Sequence, residues 1–170
     1  MILPYTKIVG LDVFDLKNQS KVGVVKDIVI QKKDFKISGI ILENSIFNRD
    51  AKVVSHADIV DISTQGVVIR DSDAISSLKE NVRIGEAIKE GMHGIGQKVV
   101  TKSGKSLGRV VDLFILSETL EIPKFYVKNI FGERIIARTA IVDIEKRKII
   151  VKENFETEKA SMPEISTSLV

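Results

Sequence analysis

Two aspartates, each standing four residues after a glycine, are the first candidates for chemistry in this sequence. Asp27 follows Gly23, and Asp112 follows Gly108, so both lie in the pattern Gly-x-Val-x-Asp. A carboxylate can serve as a general acid or base, or it can bind a cation. One aspartate per pattern supplies neither a carboxylate pair nor a full ligand set. We therefore interpret both as structural residues that accept backbone hydrogen bonds.

Other polar residues do not suggest a second kind of site. His56 and His93 are the only histidines, and a zinc site built on them would need further ligands that the sequence does not indicate. The chain has no cysteine, which excludes disulfides, thiolate ligands and thiol nucleophiles. Residues 91–96 carry the glycines of a phosphate loop without its Gly-Lys-Ser/Thr ending, and we interpret them as a linker. We expect no enzymatic activity, no cofactor and no bound metal.

The pattern around each aspartate belongs to a long internal repeat. Val22 to Ile30 return 85 positions later as Leu107 to Ile115, and the segment Ile59 to Ile62 returns unchanged 82 positions later. A repeat of this length predicts two copies of one small domain. The differences in length between the copies fall where turns are expected, and surface turns tolerate insertions.

Alternation of apolar and polar residues dominates each copy and predicts β-strands. In the first copy, strands are expected at residues 36–43, 51–55, 59–63 and 67–71, after a long strand that contains Asp27. Short strands at this spacing, with no helical crossover, favour a small antiparallel barrel in each copy. Between the copies, apolar spacing predicts two short helices, at residues 74–80 and 85–90.

These elements divide the chain into four parts. We assign residues 1–71 to a first domain, 72–95 to a linker with short helices, 96–153 to a second domain and 154–170 to a flexible tail. Domains of this size bury only about 60% of the surface of their unfolded chains. We therefore expect the two copies to pack on each other or on a second chain. The tail has too few apolar residues to offset the entropy of ordering it.

The doubled pattern resembles the PRC-barrel family. Each copy also has the family's Gly-x-x-Val opening, and the motif residues are Gly10, Gly23, Asp27, Gly96, Gly108 and Asp112. The resemblance implies an all-β fold of two small antiparallel barrels in tandem, and it implies binding rather than catalysis. The family includes the cytoplasmic part of the photosynthetic reaction-centre H subunit and the C-terminal domain of a ribosome maturation factor.

The positive charge of the chain is concentrated in the second copy. Residues 96–153 hold 12 lysines and arginines against 7 acidic residues, whereas residues 7–71 hold 10 against 9. An uneven basic surface favours an acidic partner. The candidate partner-binding residues are Lys124, Tyr126, Lys128, Arg134, Arg138, Lys146, Arg147 and Lys148. Tyr126 lies between two lysines and is the candidate for stacking on a base.

Three functions are weighed on these observations. We expect a non-enzymatic adaptor or scaffold for protein–protein interaction, with two barrels about a pseudo-twofold axis and a homodimer formed through apolar barrel surface. The alternative is a ribosome- or RNA-associated assembly factor that uses the basic second copy. A small-molecule or ion-binding enzyme is the third, and it lacks a catalytic set. No segment looks like a signal peptide or a spanning helix of ~18 apolar residues, so we expect a cytoplasmic protein.

Overall fold

A computed structural model describes residues 1–43, 50–155 and 157–159. The described residues form an all-β structure with two short α-helices, α1 (Tyr5–Ile8) and α2 (Val82–Lys89). The strands of the first half are β1 (Ile2–Pro4), β2 (Asp12–Asp15), β3 (Ser20–Gln31), β4 (Lys36–Leu42), β5 (Lys52–Ser55), β6 (Ile59–Ser63), β7 (Gly66–Ile69) and β8 (Ile75–Ser77). The strands of the second half are β9 (Lys98–Thr101), β10 (Ser106–Leu116), β11 (Lys124–Asn129), β12 (Gly132–Ala137), β13 (Ile141–Glu145), β14 (Lys148–Val151) and β15 (Thr157–Lys159).

The two halves have the same strand order. One sheet runs β6-β7-β2-β3-β4-β5-β8, and the other runs β13-β14-β9-β10-β11-β12-β15, with β1 added beside β10. Neighbouring strands are antiparallel except for β2 with β7 and β9 with β14, which are parallel in both halves. A 3-10 turn precedes β6 at His56–Asp58, and another precedes β13 at Arg138–Ala140. The prediction that the two copies share one all-β fold is confirmed, whereas the parallel pair in each half differs from the wholly antiparallel strands that the sequence predicted.

Interruptions of strand pairing also recur at equivalent places. In the first half, Val22 is the extra residue between β2 and β3, and the register shifts again just before Asp27. In the second half, Leu107 and Asp112 hold the corresponding places. A β-bulge bends its strand and increases the local twist. The repeat therefore reproduces these two bends, whereas a further shift between Val29 and Ile30 of β3 has no counterpart in the pairing of β10 with β11.

The halves meet through reciprocal backbone hydrogen bonds. Ile37 N–H donates to the carbonyl of Leu120 at 2.8 Å, and Ile122 N–H donates to the carbonyl of Phe35 at 2.9 Å. Ile37 and Ile122 are repeat equivalents, as are Phe35 and Leu120, since each pair is separated by 85 positions. Phe35 and Leu120 share a left-handed backbone conformation, with φ of 52° and 58°. Reciprocal contacts between equivalent residues define a local pseudo-twofold axis.

One apolar core runs through both halves. Val25 and Ile40 of the first half and Val110 and Phe125 of the second belong to the same buried cluster. The ring of Phe35 stacks on that of Phe125 at a centroid separation of 6.3 Å, which crosses the boundary between the halves. Stacked aromatic pairs at this distance are favourable beyond their buried area. The expectation that the two small copies pack on each other is confirmed.

The N-terminal strand belongs to the second sheet. Residues of β1 pair antiparallel with β10, from Ile2 opposite Leu116 to Pro4 opposite Phe114. The sequence-based division had assigned residues 1–71 to the first domain, and the structure differs at this end of the chain. Strand β10 extends beyond its pairing with β9, so its edge has room for β1. The chain thus crosses from one half to the other before its first repeat begins.

The linker contains one α-helix where the sequence predicted two, and a 3-10 turn at Ser72–Ala74 precedes β8. The predicted helix at residues 74–80 is wrong, because Ile75–Ser77 form β8 and pair with β5. Pairing with the edge strand β5 gives hydrogen-bond partners to backbone N–H and C=O groups that a very short helix would leave without partners. Helix α2 is present, and the side chain of Asn81 caps it by accepting from Ile84 N–H at 3.1 Å. The linker therefore completes the first sheet before the second copy begins.

The start of the predicted tail is also paired. Thr157–Lys159 form β15, which lies antiparallel to β12, with Thr157 opposite Ile136 and Lys159 opposite Arg134. The sequence-based division had included these residues in a flexible tail at 154–170. Few apolar side chains are needed for a short edge strand, because backbone hydrogen bonds hold it. Residues 156 and 160–170 of that prediction lie outside the described residues.

Candidate interaction surfaces

Each motif aspartate fixes the backbone beside its bulge. Asp27 Oδ1 accepts the N–H of Ile28 at 2.8 Å, and Asp112 Oδ1 accepts the N–H of Leu113 at the same distance. Each carboxylate accepts a backbone N–H that would otherwise donate to the neighbouring strand, and so it stabilises the irregular pairing. This geometry agrees with the structural interpretation of both aspartates.

Helix α1 holds both aspartates at once. Tyr5 Oη donates to Asp27 Oδ1 at 2.9 Å, while Thr6 donates to Asp112 through its hydroxyl at 2.6 Å and its backbone N–H at 3.2 Å. Burial, followed by the hydrogen bond to Asp27, raises the pKa of the Tyr5 phenol. Two consecutive residues of one helix therefore join equivalent positions of the two halves. The motif carboxylates are engaged in structure rather than open to a substrate.

The motif glycines Gly10 and Gly96 share a left-handed conformation, with φ of +89° and +79°, whereas Gly23 and Gly108 differ in conformation. Gly10 N–H donates to the carbonyl of Val25, and Gly96 N–H donates to that of Val110, both at 2.8 Å. Gly108 has φ +130°, and a Cβ there would lie 2.3 Å from the Lys128 carbonyl oxygen. The first-half equivalent, Gly23, lacks a left-handed φ, and its Cβ would meet only the side chain of Leu42, at 3.2 Å. Of the equivalent pair Gly23 and Gly108, strict intolerance of a side chain is therefore expected at Gly108 alone.

A cleft between the two halves is lined by cations from both of them. Lys32 and Lys33 come from the β3–β4 turn, and Arg138 comes from the 3-10 turn before β13. The Arg138 guanidinium carbon lies 5.7 Å from the centre of the Phe35 ring, within the range of a cation–π contact. The cleft has a volume of about 430 Å³, and we refer to it as the basic cleft. Its described carboxylates are Glu90 and Asp143.

The pseudo-twofold axis relates the basic cleft to a second cleft of different charge. The second cleft has a volume of about 230 Å³, and its lining includes Ser117, Glu118, Leu120 and His56. The first three stand 85 positions after the two lysines and Phe35 of the basic cleft, and His56 stands 82 positions before Arg138. The amino group of Met1 pairs with the Glu118 carboxylate beside it. The fold is repeated at the two clefts, but the positive charge is not.

Three of the predicted partner-binding residues share one face of β11. Lys124, Tyr126 and Lys128 alternate with the buried Phe125 and Val127 along this strand, so they lie on its outer side.

Glu133 on the neighbouring strand binds two of these three side chains. Lys128 Nζ lies 2.9 Å from Glu133 Oε1, and the Tyr126 hydroxyl donates to the same carboxylate. The hydrogen bond from Tyr126 is the largest cause that lowers the pKa of Glu133. The Tyr126 hydroxyl is therefore tied to a carboxylate of the neighbouring strand.

Lys128 also belongs to a row of cations across the second sheet. Lys148 of β14 lies opposite Lys98 of β9, which lies opposite Arg109 of β10, which in turn lies opposite Lys128 of β11. Residues opposite each other on paired strands face the same side of a sheet. We call these four residues the cation row. Glu145 and Glu133 pair with its two ends.

The remaining predicted residues do not join one continuous patch. Arg134 lies opposite the buried Val127 and so faces the other side of the sheet from Lys128. Lys146 and Arg147 form the β13–β14 turn, where their carbonyls accept from Gln97 Nε2 and the Lys98 N–H. The predicted set is thus divided among the basic cleft, the β11 face, the cation row and this turn, with Arg134 on the opposite face of the sheet.

Four basic residues at these surfaces were missed by sequence reasoning. They are Lys32 and Lys33 at the basic cleft and Lys98 and Arg109 in the cation row. The net charge of each copy gave no indication of Lys32 and Lys33, because they lie in the nearly neutral first copy. The adjacent lysines in a turn were the available signal for the cleft. Nothing in the sequence spacing indicates the row, since it depends on strand register.

Two negative findings apply to the described part of the chain. Within it, no helix is long and apolar enough to cross a membrane. Among the same residues, no group of three or more His, Asp or Glu side chains is arranged to hold a metal ion.

Comparison with known proteins agrees with the motif and the fold. No curated protein matches the chain. The family model described as "PRC-barrel domain" matches residues 2–74, which contain Gly10, Gly23 and Asp27. Residues 2–74 are therefore identified as a PRC-barrel domain, which lies in the first half of the chain.

Proposed function

We propose that this protein is a non-enzymatic adaptor that binds an acidic protein partner at the basic cleft. The observation that carries the proposal is the difference in charge between two clefts that the repeat makes equivalent. Lys32, Lys33 and Arg138 line one, and Ser117, Glu118 and His56 hold the corresponding places in the other. The packing of the two halves does not require cations at either cleft. The concentration of cations on one side therefore favours a role in recognition.

The composition of the basic cleft suits a peptide segment with carboxylates beside an apolar residue. Lys32 and Arg138 are half-buried and Lys33 is exposed, and the partly exposed apolar side chains of Ile141 and Val142 line the same cleft. Charged groups at the rim of an interface set its specificity and association rate, and apolar contacts in its centre supply affinity. One exposed ion pair contributes little by itself, so several must act together.

The same proposal extends to the architecture. We propose that the sheet of β2 to β8 and the sheet of β9 to β15 each close into a barrel of the family type. The equivalent bulges support this, because they bend the long strands at matched positions. We propose no reaction, because the motif aspartates Asp27 and Asp112 already accept hydrogen bonds from α1 and from their own strands.

Capture from native lysate tests the proposal. The full-length tagged protein should retain a protein partner that elutes as salt concentration rises, because rim charges are screened by salt. The captured protein should carry an acidic segment. A partner that remains bound at high salt and has no acidic segment would contradict binding at the basic cleft, and turnover of a small molecule by the purified protein would contradict the adaptor function.

The RNA-associated alternative has one structural observation in its favour. The cation row places Lys98, Arg109 and Lys128 side by side on neighbouring strands, where they could contact successive phosphates. RNA readers also place aromatic side chains against bases, and Phe131 is an exposed aromatic residue beside the row. The protein partner is the better-supported proposal, because Glu133 and Glu145 already pair with the two ends of the row.

A further inference from the structure

Two adjacent apolar side chains project from the β11–β12 turn. Ile130 is 90% exposed and Phe131 is 89% exposed, which makes them the most exposed of the large apolar residues in the described chain. Scattered exposed hydrophobic residues are ordinary in soluble proteins, whereas neighbouring ones mark an interaction surface. We call this pair the apolar tip.

The apolar tip is held in place by its own turn. Phe131 N–H donates to Asn129 Oδ1 at 2.8 Å, and Asn129 Nδ2 donates to the carbonyl of Leu107 at 3.0 Å. These bonds link the turn to β10 on the neighbouring part of the sheet. A turn fixed in this way loses little conformational freedom when its side chains are buried against a partner.

Cations surround the apolar tip. Ile130 and Phe131 border a groove of about 570 Å³ together with Lys98, Arg109 and Lys128, which are three members of the cation row. Val111, also partly exposed, lies in the same groove. Of the acidic residues, Glu133 pairs with Lys128, and Glu145 pairs with Lys148 at the far end of the row. The centre of the row, Lys98 and Arg109, faces the groove without a carboxylate among its described lining residues.

We propose that the apolar tip and the cation row bind the surface of an anionic lipid bilayer. The charge of the row is complementary to acidic headgroups, and Ile130 and Phe131 would enter the layer just below them. A convex turn with nearly complete exposure suits a fluid surface, because a bilayer needs no matching cavity. A nucleic acid would use the cations and Phe131, but it would have no contact for the aliphatic Ile130. This binding is separate from the partner proposed for the basic cleft.

Vesicle flotation of the full-length protein tests this inference. We expect binding to vesicles of phosphatidylglycerol and phosphatidylcholine in equal amounts, and none to phosphatidylcholine alone. Replacing the tip with Ile130→Ser and Phe131→Ser should weaken binding by at least about tenfold, and so should Lys98→Glu with Arg109→Glu. Leu16→Ser with Val82→Ser is the matched apolar control, since both residues are exposed in the first half. That control should bind like the unaltered protein.

Four results would overturn the proposal. Two concern the vesicles: equal binding to both kinds, or binding that survives the tip variant with its melting temperature unchanged. The third is the absence of vesicle binding together with capture of a single-stranded oligouridine that requires Phe131, which would assign the surface to RNA. The fourth is a dimer in sedimentation that the tip variant converts to a monomer, which would make the tip an interface between two copies. Because both side chains are exposed, the tip variant should fold like the unaltered protein.

Discussion

Lys36 and Glu121 occupy the same position in the two copies of the repeat, and they pair with each other. They stand 85 positions apart in sequence, form an isolated antiparallel bridge and join their side chains at 2.9 Å. A residue that contacts its own equivalent must lie on the axis that relates the copies. Lysine in one copy and glutamate in the other allow an ion pair where identical charges would repel.

Exchanging these two charges should restore the thermal stability that either single charge reversal removes. Lys36→Glu places two carboxylates together on the axis, and Glu121→Lys places two ammonium groups there, so each should lower the melting temperature slightly. The double variant should recover most of that loss. Thermal unfolding of the four proteins measures the coupling. Additive losses in the double variant would contradict the pairing.

The bond from α1 to the first half should contribute measurably to stability. Tyr5→Phe removes the hydroxyl that donates to Asp27 at 2.9 Å and should lower the free energy of unfolding by about 1–2 kcal/mol, as expected for a partly buried bond to a carboxylate. The chain offers one matched control, because its only other tyrosine, Tyr126, donates to an exposed glutamate. Denaturant unfolding of Tyr126→Phe should match the unaltered protein. Equal losses in the two variants would show that α1 is not a specific link.

A methyl group should be tolerated at Gly23 and not at Gly108. Gly108→Ala would need a left-handed φ of +130° and a Cβ only 2.3 Å from a backbone oxygen, which costs at least about 2 kcal/mol. In Gly23→Ala the only close neighbour is the end of a leucine side chain that can move. Thermal unfolding of both variants checks the difference. Similar melting temperatures would mean that β10 can shift to make room.

Asp15 should make stability sensitive to acid. Its carboxylate accepts from Asn18 N–H and Ser72 N–H, both at 2.9 Å, and so joins the β2–β3 turn to the end of β7. The backbone hydrogen bond from Asn18 is the largest cause that lowers the pKa of Asp15 from 3.8 to about 2. A lowered pKa stabilises the fold fully above about pH 4, and the contribution disappears as the pH falls towards 2.

The variant Asp15→Asn should therefore be less stable than the unaltered protein at neutral pH. The difference in melting temperature should shrink as the pH is lowered from 4 to about 2, the window set by the two pKa values. Asp12→Asn is the control, because Asp12 forms only an exposed pair with Lys21. A difference that stays constant across this range would mean that Asp15 acts by shape alone.

Much of the fold was predictable because the repeat and the period-two alternation are local signals. They predicted the two copies, the long strands that carry Asp27 and Asp112, and strand β6 to the residue. The β1–β10 pairing was not predictable, because Ile2–Pro4 resemble any short apolar segment and the choice of sheet depends on which edge is open. The same reason explains the error at Ile75–Ser77, whose spacing suits a helix or an edge strand.

The candidate surfaces were less predictable than the fold. Register decides that Lys148, Lys98, Arg109 and Lys128 lie side by side, and a sequence gives no register between strands that are distant along the chain. The pseudo-twofold axis likewise brings Lys32 of one copy near residues of the other. Charge counted along the chain indicated a basic half, whereas the structure distributes that charge over two separate surfaces.

The most direct test of the adaptor proposal is the affinity of the captured partner for a variant of the basic cleft. Lys32→Glu, Lys33→Glu and Arg138→Gln together remove the positive charge of the cleft, and the same change of net charge at Lys17, Lys26 and Arg83, with glutamate at the lysines and glutamine at the arginine, is the matched control. The account predicts that the cleft variant loses at least about tenfold in affinity at low salt, while the control retains binding. Equal affinity of the two variants, with both folded, would contradict it.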